Sequence, residues 1–284
     1  MSSHPNVHTL GDVVLDESDG SRIITNAVGI DDAPEIRSAI EAKAQQSGAW
    51  DGVGLYGARV IQLEGYAESD SPDAAQAFAD SLRALSPAEL YELVVESQGR
   101  GVRSATVRVQ AGAVLQWLDE DAFTYVLTVV APDPLLYGAR TLGSAGLSGS
   151  VAGSGRAWPR VWLRDWGVAA GVTPGALAMP NAGTVTYWPT LRIDGPVTNP
   201  TVTCPETGDW VSFGATIPTG QFVELDCRNR LARFGANGDD VRYLIDSGGA
   251  WLGIPPGGAS LSFTADTADA AALLTAIGYE GAWT

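Results

Sequence analysis

Apolar and polar residues alternate over short stretches for most of this chain, and Gly, Pro and Asn separate the stretches. Leu191 and Ile193 alternate with Arg192 and Asp194, the period-2 pattern of a half-buried strand. Gly195-Pro196 ends that strand, and Asn199-Pro200 introduces the next, Thr201 to Cys204. Arg59 to Gly65 repeats the theme, with Val60 and Gln62 on one face and Ile61 and Leu63 on the other. Ala105 to Gln110 sets Val107 and Val109 against Arg108 and Gln110, while Leu90 to Glu96 and Phe123 to Val130 read as further strands. Val13 to Leu15 and Arg22 to Thr25 predict a strand pair around the turn Asp19-Gly20.

Two stretches carry helical spacing instead. Ser71-Pro72-Asp73 supplies a cap and a first-turn proline. Phe78, Leu82 and Leu85 follow at i, i+4 and i+7, which predicts a helix over Asp73 to Leu85 with one buried face. Asp31-Asp32 precedes Pro34, and Ile36 and Ile40 make a thin stripe, which predicts a second helical segment between Glu35 and Gly48.

Ala131-Pro-Asp-Pro-Leu-Leu-Tyr-Gly138 breaks both strand and helix, so a domain is expected to end there. Residues 141–157 are rich in Gly, Ser and Ala and read either as a flexible linker or as small-residue strands. Beyond them, Gln221 to Cys227 and Leu231 to Phe234 flank Arg228-Asn229-Arg230, a hairpin signal. Asn237-Gly238, Gly248-Gly249 and Pro255-Pro-Gly-Gly258 punctuate the C-terminal residues, and Leu261 and Phe263 alternate in a late strand. The expected architecture is therefore mostly β. Residues 1–140 form a β-sandwich or split-barrel-like domain with one well-marked helix, 73–85, and residues 141–284 an antiparallel β-sandwich. Trp158, Arg160, Trp162, Arg164 and Trp166 would share one face of a strand. Trp and Arg are enriched at buried contact centres, so this strip reads as an interface, against the plainer alternative of rings covering a sandwich or domain junction.

Charge narrows the function classes. The formal net charge is −16, which disfavours nucleic acid and anionic membrane as ligands. The acidity is uneven, since residues 1–140 hold 21 Asp and Glu against 9 Lys and Arg, a net −12. No apolar run approaches the ~20 residues of a membrane span, and the N-terminal residues lack a signal-peptide pattern. A soluble protein made in a cytoplasm is expected. Cys204 and Cys227 are the two cysteines, either one bridge or two buried thiols.

Candidate chemistry is sparse. His4 and His8 are the two histidines, and Pro5 and Asn6 between them oppose the helix that a metal pair would need. Gly52-Val-Gly-Leu-Tyr-Gly57 matches G-x-G-x-x-G by letter but precedes a strand, so it offers no helix N-terminus to a pyrophosphate. Asp239-Asp240 and Asp119-Glu120-Asp121 read as solvated turns rather than facing carboxylates. The expectation is no catalytic residue, no cofactor and no metal. Exposed Trp platforms leave a carbohydrate-binding sandwich as the alternative for residues 141–284.

Taken in order, several motifs resemble the distal tail proteins of phages with long non-contractile tails. They are Arg59-Val-Ile-Gln-Leu-Glu-Gly65 before a helix, the Ala131–Gly138 breaker, and Asn181-Ala-Gly-Thr184 leading to Trp188-Pro-Thr-Leu-Arg-Ile-Asp-Gly-Pro196. Asn199-Pro-Thr-Val202, Gly220-Gln-Phe-Val-Glu-Leu-Asp226 with its basic hairpin, and Pro255-Pro-Gly-Gly258 complete the set. The resemblance implies a galectin-like C-terminal sandwich and a structural role. It also implies a homo-hexameric hub ring that joins the tail tube protein to a tail-tip hub or fibre protein, with DNA passing through without specific binding. The location it implies is the virion tail tip, after assembly in the host cytoplasm. Two departures stand out: the helical reading of Glu35 to Gly48, and the lack of an added carbohydrate-binding insertion.

Overall fold

The computed structural model describes residues 6–38, 40–97, 100–147, 175–268 and 271–284. The chain divides into two compact units. The first runs to Ala139 and takes back Trp283–Thr284, and the second is Arg140–Ala282.

Among the described residues, the first unit is an antiparallel β fold with one helix. Its main strands are β1 (Asn6–Leu10), β2 (Arg22–Val28), β3 (Arg59–Glu68), β4 (Tyr91–Ser97), β5 (Gly101–Trp117) and β6 (Ala122–Ala131), and α1 spans Pro72–Arg83. They run side by side in the order β1-β4-β5-β6-β3-β2. Strand β5 spans two partners. Gly101–Val107 pairs with β4, and Arg108–Trp117 pairs with β6. Its register shifts around Ala111-Gly112-Ala113, where small residues let the strand bend. Alternation works as read. Ile61, Leu63, Val107, Val109, Tyr125, Leu127 and Val129 are buried, while Val60, Gln62, Arg108 and Gln110 are exposed.

Helix α1 closes this core. Ser71 accepts a hydrogen bond from the Ala74 amide at 3.3 Å and Pro72 opens the first turn, so the start is set locally. Ala75, Phe78, Ala79 and Leu82 form the buried stripe. The Phe78 ring lies 5.8 Å from Phe123 and 6.0 Å, edge-on, from Tyr125, distances at which aromatic pairs attract beyond simple burial. Gly65 on β3 lies flat against the Tyr125 ring, which a Cβ would collide with.

Two sequence-based expectations fail in this unit. Val13 to Leu15 and Arg22 to Thr25 do not pair with each other. Val13–Val14 turns back on β1 through Gly11, which has a φ of 57°, and β2 pairs with β3. The helical segment between Glu35 and Gly48 is β structure. Ile36–Arg37 pairs with Leu55–Tyr56, and Glu41–Ala42 with Ala49–Trp50. These nested pairs make one long hairpin arm, turned at its tip by Gly48 with φ 103°. The i, i+4 spacing of Ile36 and Ile40 suits a helix only if another element covers that stripe. Both side chains are exposed here, so nothing rewards the helix and cross-strand pairing wins.

The second unit holds β7 (Arg140–Gly146), β8 (Gly175–Met179), β9 (Thr190–Asp194), β10 (Thr201–Cys204), β11 (Asp209–Ser212), β12 (Phe222–Asp226), β13 (Leu231–Phe234), β14 (Ala259–Thr264) and β15 (Leu273–Tyr279). One sheet runs β7-β15-β9-β12-β13 and ends on Asp239–Asp240; the other runs β8-β14-β10-β11. The sheets meet face to face. Gly143 on β7 and Gly278 on β15 leave room for Leu177 and Met179 of β8, and a Cβ at either glycine would strike those side chains. Residues 141–146, left open between linker and strand, are therefore sheet. Asp239–Asp240, read as a turn, is a short strand beside Arg233 and Phe234.

Asn181 ties this sandwich together from a buried position. Its Nδ2 donates to the carbonyls of Val185 and Ile254, both at 2.9 Å, and its Oδ1 accepts from the amides of Gly183 and Ala282 at 3.0 and 3.2 Å. Every polar position on that amide is used, which is the condition for burying it without penalty.

Candidate assembly surface

Among the described residues of the first unit, the hairpin arm gathers a run of exposed apolar side chains. Ile36, Ile40, Trp50, Val53, Leu55 and Tyr56 all face solvent, with Val53 80% exposed and Trp50 67%. Contiguous apolar exposure of this kind marks a contact surface. Lys43 Nζ sits 4.9 Å over the Trp50 ring near the tip.

The base of the arm is held by a buried cation. Arg59, the first residue of β3, is 2% exposed. Its Nη1 donates to the carbonyls of Gly29, Ile30 and Asp32 at 2.8, 2.9 and 2.7 Å, and its Nε donates to Pro134 at 2.8 Å. One guanidinium thus gathers the strand entering the arm, the strand leaving it, and the Pro-rich breaker. Arg103, also buried, donates to Asp31 Oδ1 at 3.0 Å. Burial lowers the Arg59 pKa most, the positive charge of Arg103 lowers it further, and Asp31 and Asp32 oppose both. The Gly57 amide donates to the Glu35 carbonyl at 2.6 Å and closes the base.

Beside the arm lies the outer face of strands β2, β3, β6 and β5. Asn26, Glu64, Val126 and Val114 stand in one cross-strand row, and Val28, Gln62, Thr128 and Ala111 in the next. Val60, Val130 and Arg108 form a third. Val28, Val60 and Val114 are exposed. Glu64 and Arg108 are the charged members, so this face is weakly charged although the chain is strongly acidic. Such a mix of aliphatic and uncharged polar residues is typical of subunit contacts.

Comparison with known proteins fits this picture. No curated protein sequence matches the chain. Residues 182–283 match the family model of the siphovirus-type tail component, C-terminal domain. The crystal structure of the Dit protein of SPP1, described as a paradigm of hub adsorption apparatus in phages infecting Gram-positive hosts, covers 99% of this chain and 100% of its own. It does so with a TM-score of 0.62 at 12% identity. The chain therefore has a fold similar to that of SPP1 Dit, and its residues 182–283 resemble the siphovirus-type tail component domain. A chain of the phage P2 baseplate in its activated conformation with Ca also aligns, with a TM-score of 0.50 and 11% identity over 98% of each chain.

Within this Dit-like chain the other sequence candidates separate. The strip Trp158, Arg160, Trp162, Arg164 and Trp166 lies outside the described residues, as does His4. Gly52 to Gly57 forms part of the returning half of the arm. Asp119 and Glu120 are exposed at the β5–β6 turn. Cys204 and Cys227 are both free and buried, and burial pushes the Cys227 thiol up to about 12. Among the described residues no cluster of three or more His, Cys, Asp and Glu could hold a metal ion, and no helix is long and apolar enough to cross a membrane. Sequence reading missed the arm and the Arg59 anchor. The signal for the arm was present in Gln45-Gln46-Ser47-Gly48, a polar turn between two weakly apolar runs. Arg59 gave no signal, because its carbonyl partners are distant in sequence or irregular.

Proposed function

We propose that the chain is a structural subunit at the tip of a long non-contractile phage tail, and that six copies form a hub ring. In this reading residues 1–140 make the ring and residues 141–284 dock neighbouring proteins. The ring connects the tail tube protein to the baseplate or to a tail-tip hub or fibre protein, and DNA passes through its channel without specific binding. The copies assemble in the host cytoplasm and end in the virion.

The hairpin arm carries this reading. It projects six large apolar side chains from a base that Arg59 makes rigid. Covering the exposed part of these six side chains, 45–80% of each, with a neighbouring copy gains on the order of 5–10 kcal/mol, since fully burying a large apolar side chain is worth about 1.5–3 kcal/mol. Holding the base in place limits the entropy lost on docking, so more of that gain is kept. The Dit-like fold and the resemblance to the tail-component domain supply independent support. In this reading the sequence strip Trp158, Arg160, Trp162, Arg164 and Trp166 takes part in contacts as well. The net −12 of residues 1–140 suits a channel wall that repels DNA, and a ring whose bore-facing residues are neutral or basic would remove that point.

Light scattering behind a sizing column tests the assembly. The expected mass is six copies of a 29.6 kDa chain. A single-copy mass at every concentration rules the ring out.

A further inference from the structure

The second unit contains a cavity of about 560 Å³ that the assembly reading does not use. It is lined by Trp188 and Trp251, by the tip of the β12–β13 hairpin, Arg228-Asn229-Arg230, with Cys227 beside it, and by Gly249 and Ala250. The size falls within the range of small-molecule sites, about 300–1,000 Å³. We propose that this cavity binds an acidic saccharide, a sugar ring that carries a carboxylate or phosphate.

The walls are held in place before any ligand arrives. Asp226 folds back on its own hairpin, accepting from the Arg228 amide at 3.0 Å, the Asn229 amide at 2.9 Å and Asn229 Nδ2 at 2.7 Å. That carboxylate is occupied by the loop and helps to set its shape. Trp188 is seated against Gly253, where a Cβ would lie 3.4 Å from its Nε1 and 2.7 Å from Thr186. The Arg228 guanidinium lies 5.7 Å from the Trp188 ring centroid, within cation–π reach. Gly249 is pressed against the Trp210 carbonyl, so that wall is fixed by close backbone packing.

Arg230 points most clearly to a ligand. Its φ is 58°, a left-handed conformation that is unfavourable for every L residue and free for glycine. The next turn of the chain meets the same demand with glycine, at Gly235 and Gly238, with φ of 64° and 70°. A strained arginine at a hairpin tip, where glycine would fold better, is a residue kept for its side chain. Arg228 and Arg230 also place two cations on one turn of a chain whose net charge is −16. Indole faces stack on the C–H faces of a pyranose, arginine forks take a carboxylate or phosphate in two-point contact, and Asn229 can both donate and accept toward hydroxyls. The concave shape and the two aromatic walls favour a sugar over an extended acidic peptide.

The test is a titration of the full chain, followed by tryptophan fluorescence and calorimetry, with trigalacturonic acid, a sugar phosphate, a neutral trisaccharide and an acidic peptide. At least one acidic sugar should bind about tenfold or more tightly than the neutral one. Arg230→Gly should lose about tenfold or more of that binding while its melting temperature stays level or rises, because the turn is relieved of strain. Galacturonate binding alone assigns the charge to a carboxylate, and sugar-phosphate binding alone assigns it to a phosphate. Three results overturn the proposal: no acidic sugar bound up to about 10 mM, unchanged affinity in Arg230→Gly, or binding of the peptide in place of the sugars. None of them bears on the mass of the ring, so the two readings fail separately.

Discussion

Replacing Arg59 by Met tests whether the arm is built on that residue. Methionine keeps an unbranched apolar stem, so the change removes the guanidinium and little else. Four carbonyl contacts disappear, from Gly29, Ile30, Asp32 and Pro134, all between 2.7 and 2.9 Å. Hydrogen bonds from a charged donor are worth about 1.5–3 kcal/mol each, but they are not additive, and the mutation also removes a costly buried charge held near Arg103. Stripping one partner from a buried ionic network costs about 3–5 kcal/mol. The Gly29–Asp32 segment lies near the surface, where water can replace part of what is lost, so the lower end, about 3 kcal/mol, is expected. For a unit of this size that corresponds to a melting temperature lower by roughly 10 °C. The arm should loosen first. Limited trypsin digestion, read by mass spectrometry, should cut the variant at Arg37 and Lys43, the arm's cationic sites, well before the wild type. A variant with an unchanged melting temperature and unchanged cutting at those sites would show that the arm does not depend on Arg59.

Gly65→Ala should destabilise by about 1–3 kcal/mol, the usual cost of overpacking, because its Cβ would enter the Tyr125 ring; equal urea midpoints would refute the close approach. The Cys227 thiol, raised by burial from 9.0 to about 12, should stay unreactive toward a disulfide reagent at pH 8 until the chain unfolds. Since its folded pKa is raised, the stability linked to that thiol is complete below pH 9 and declines as pH climbs toward about 12; labelling of native protein at the unfolded rate would contradict its burial. Trp162→Ala should weaken assembly more than folding. If the variant instead loses much stability while its oligomer mass is unchanged, the strip is ordinary core.

Alternation along the chain was sufficient to locate most strands, because whether a side chain points into or out of a sheet is a local, period-2 property. Val107, Val109, Leu191, Ile193, Leu261 and Phe263 are all buried where the pattern put them. Helix α1 was equally legible, since its cap, proline and apolar stripe lie within its own residues. Pairing was not legible. Val13–Val14 and Arg22–Val28 were recognisable as strands, but their partners depend on contacts that local residues do not encode. The arm shows the same limit more sharply. Ile36 and Ile40 have helical spacing, yet a stripe is stabilised only by what covers it, and pairing with Ala49–Trp50 and Leu55–Tyr56 decided the outcome. The Arg59 anchor and the Trp188–Arg230 cavity belong wholly to tertiary structure, for each is made by segments brought together from separate turns. Composition and charge established that the chain is acidic and β-rich; which surfaces it offers was decided by the packing of its sheets.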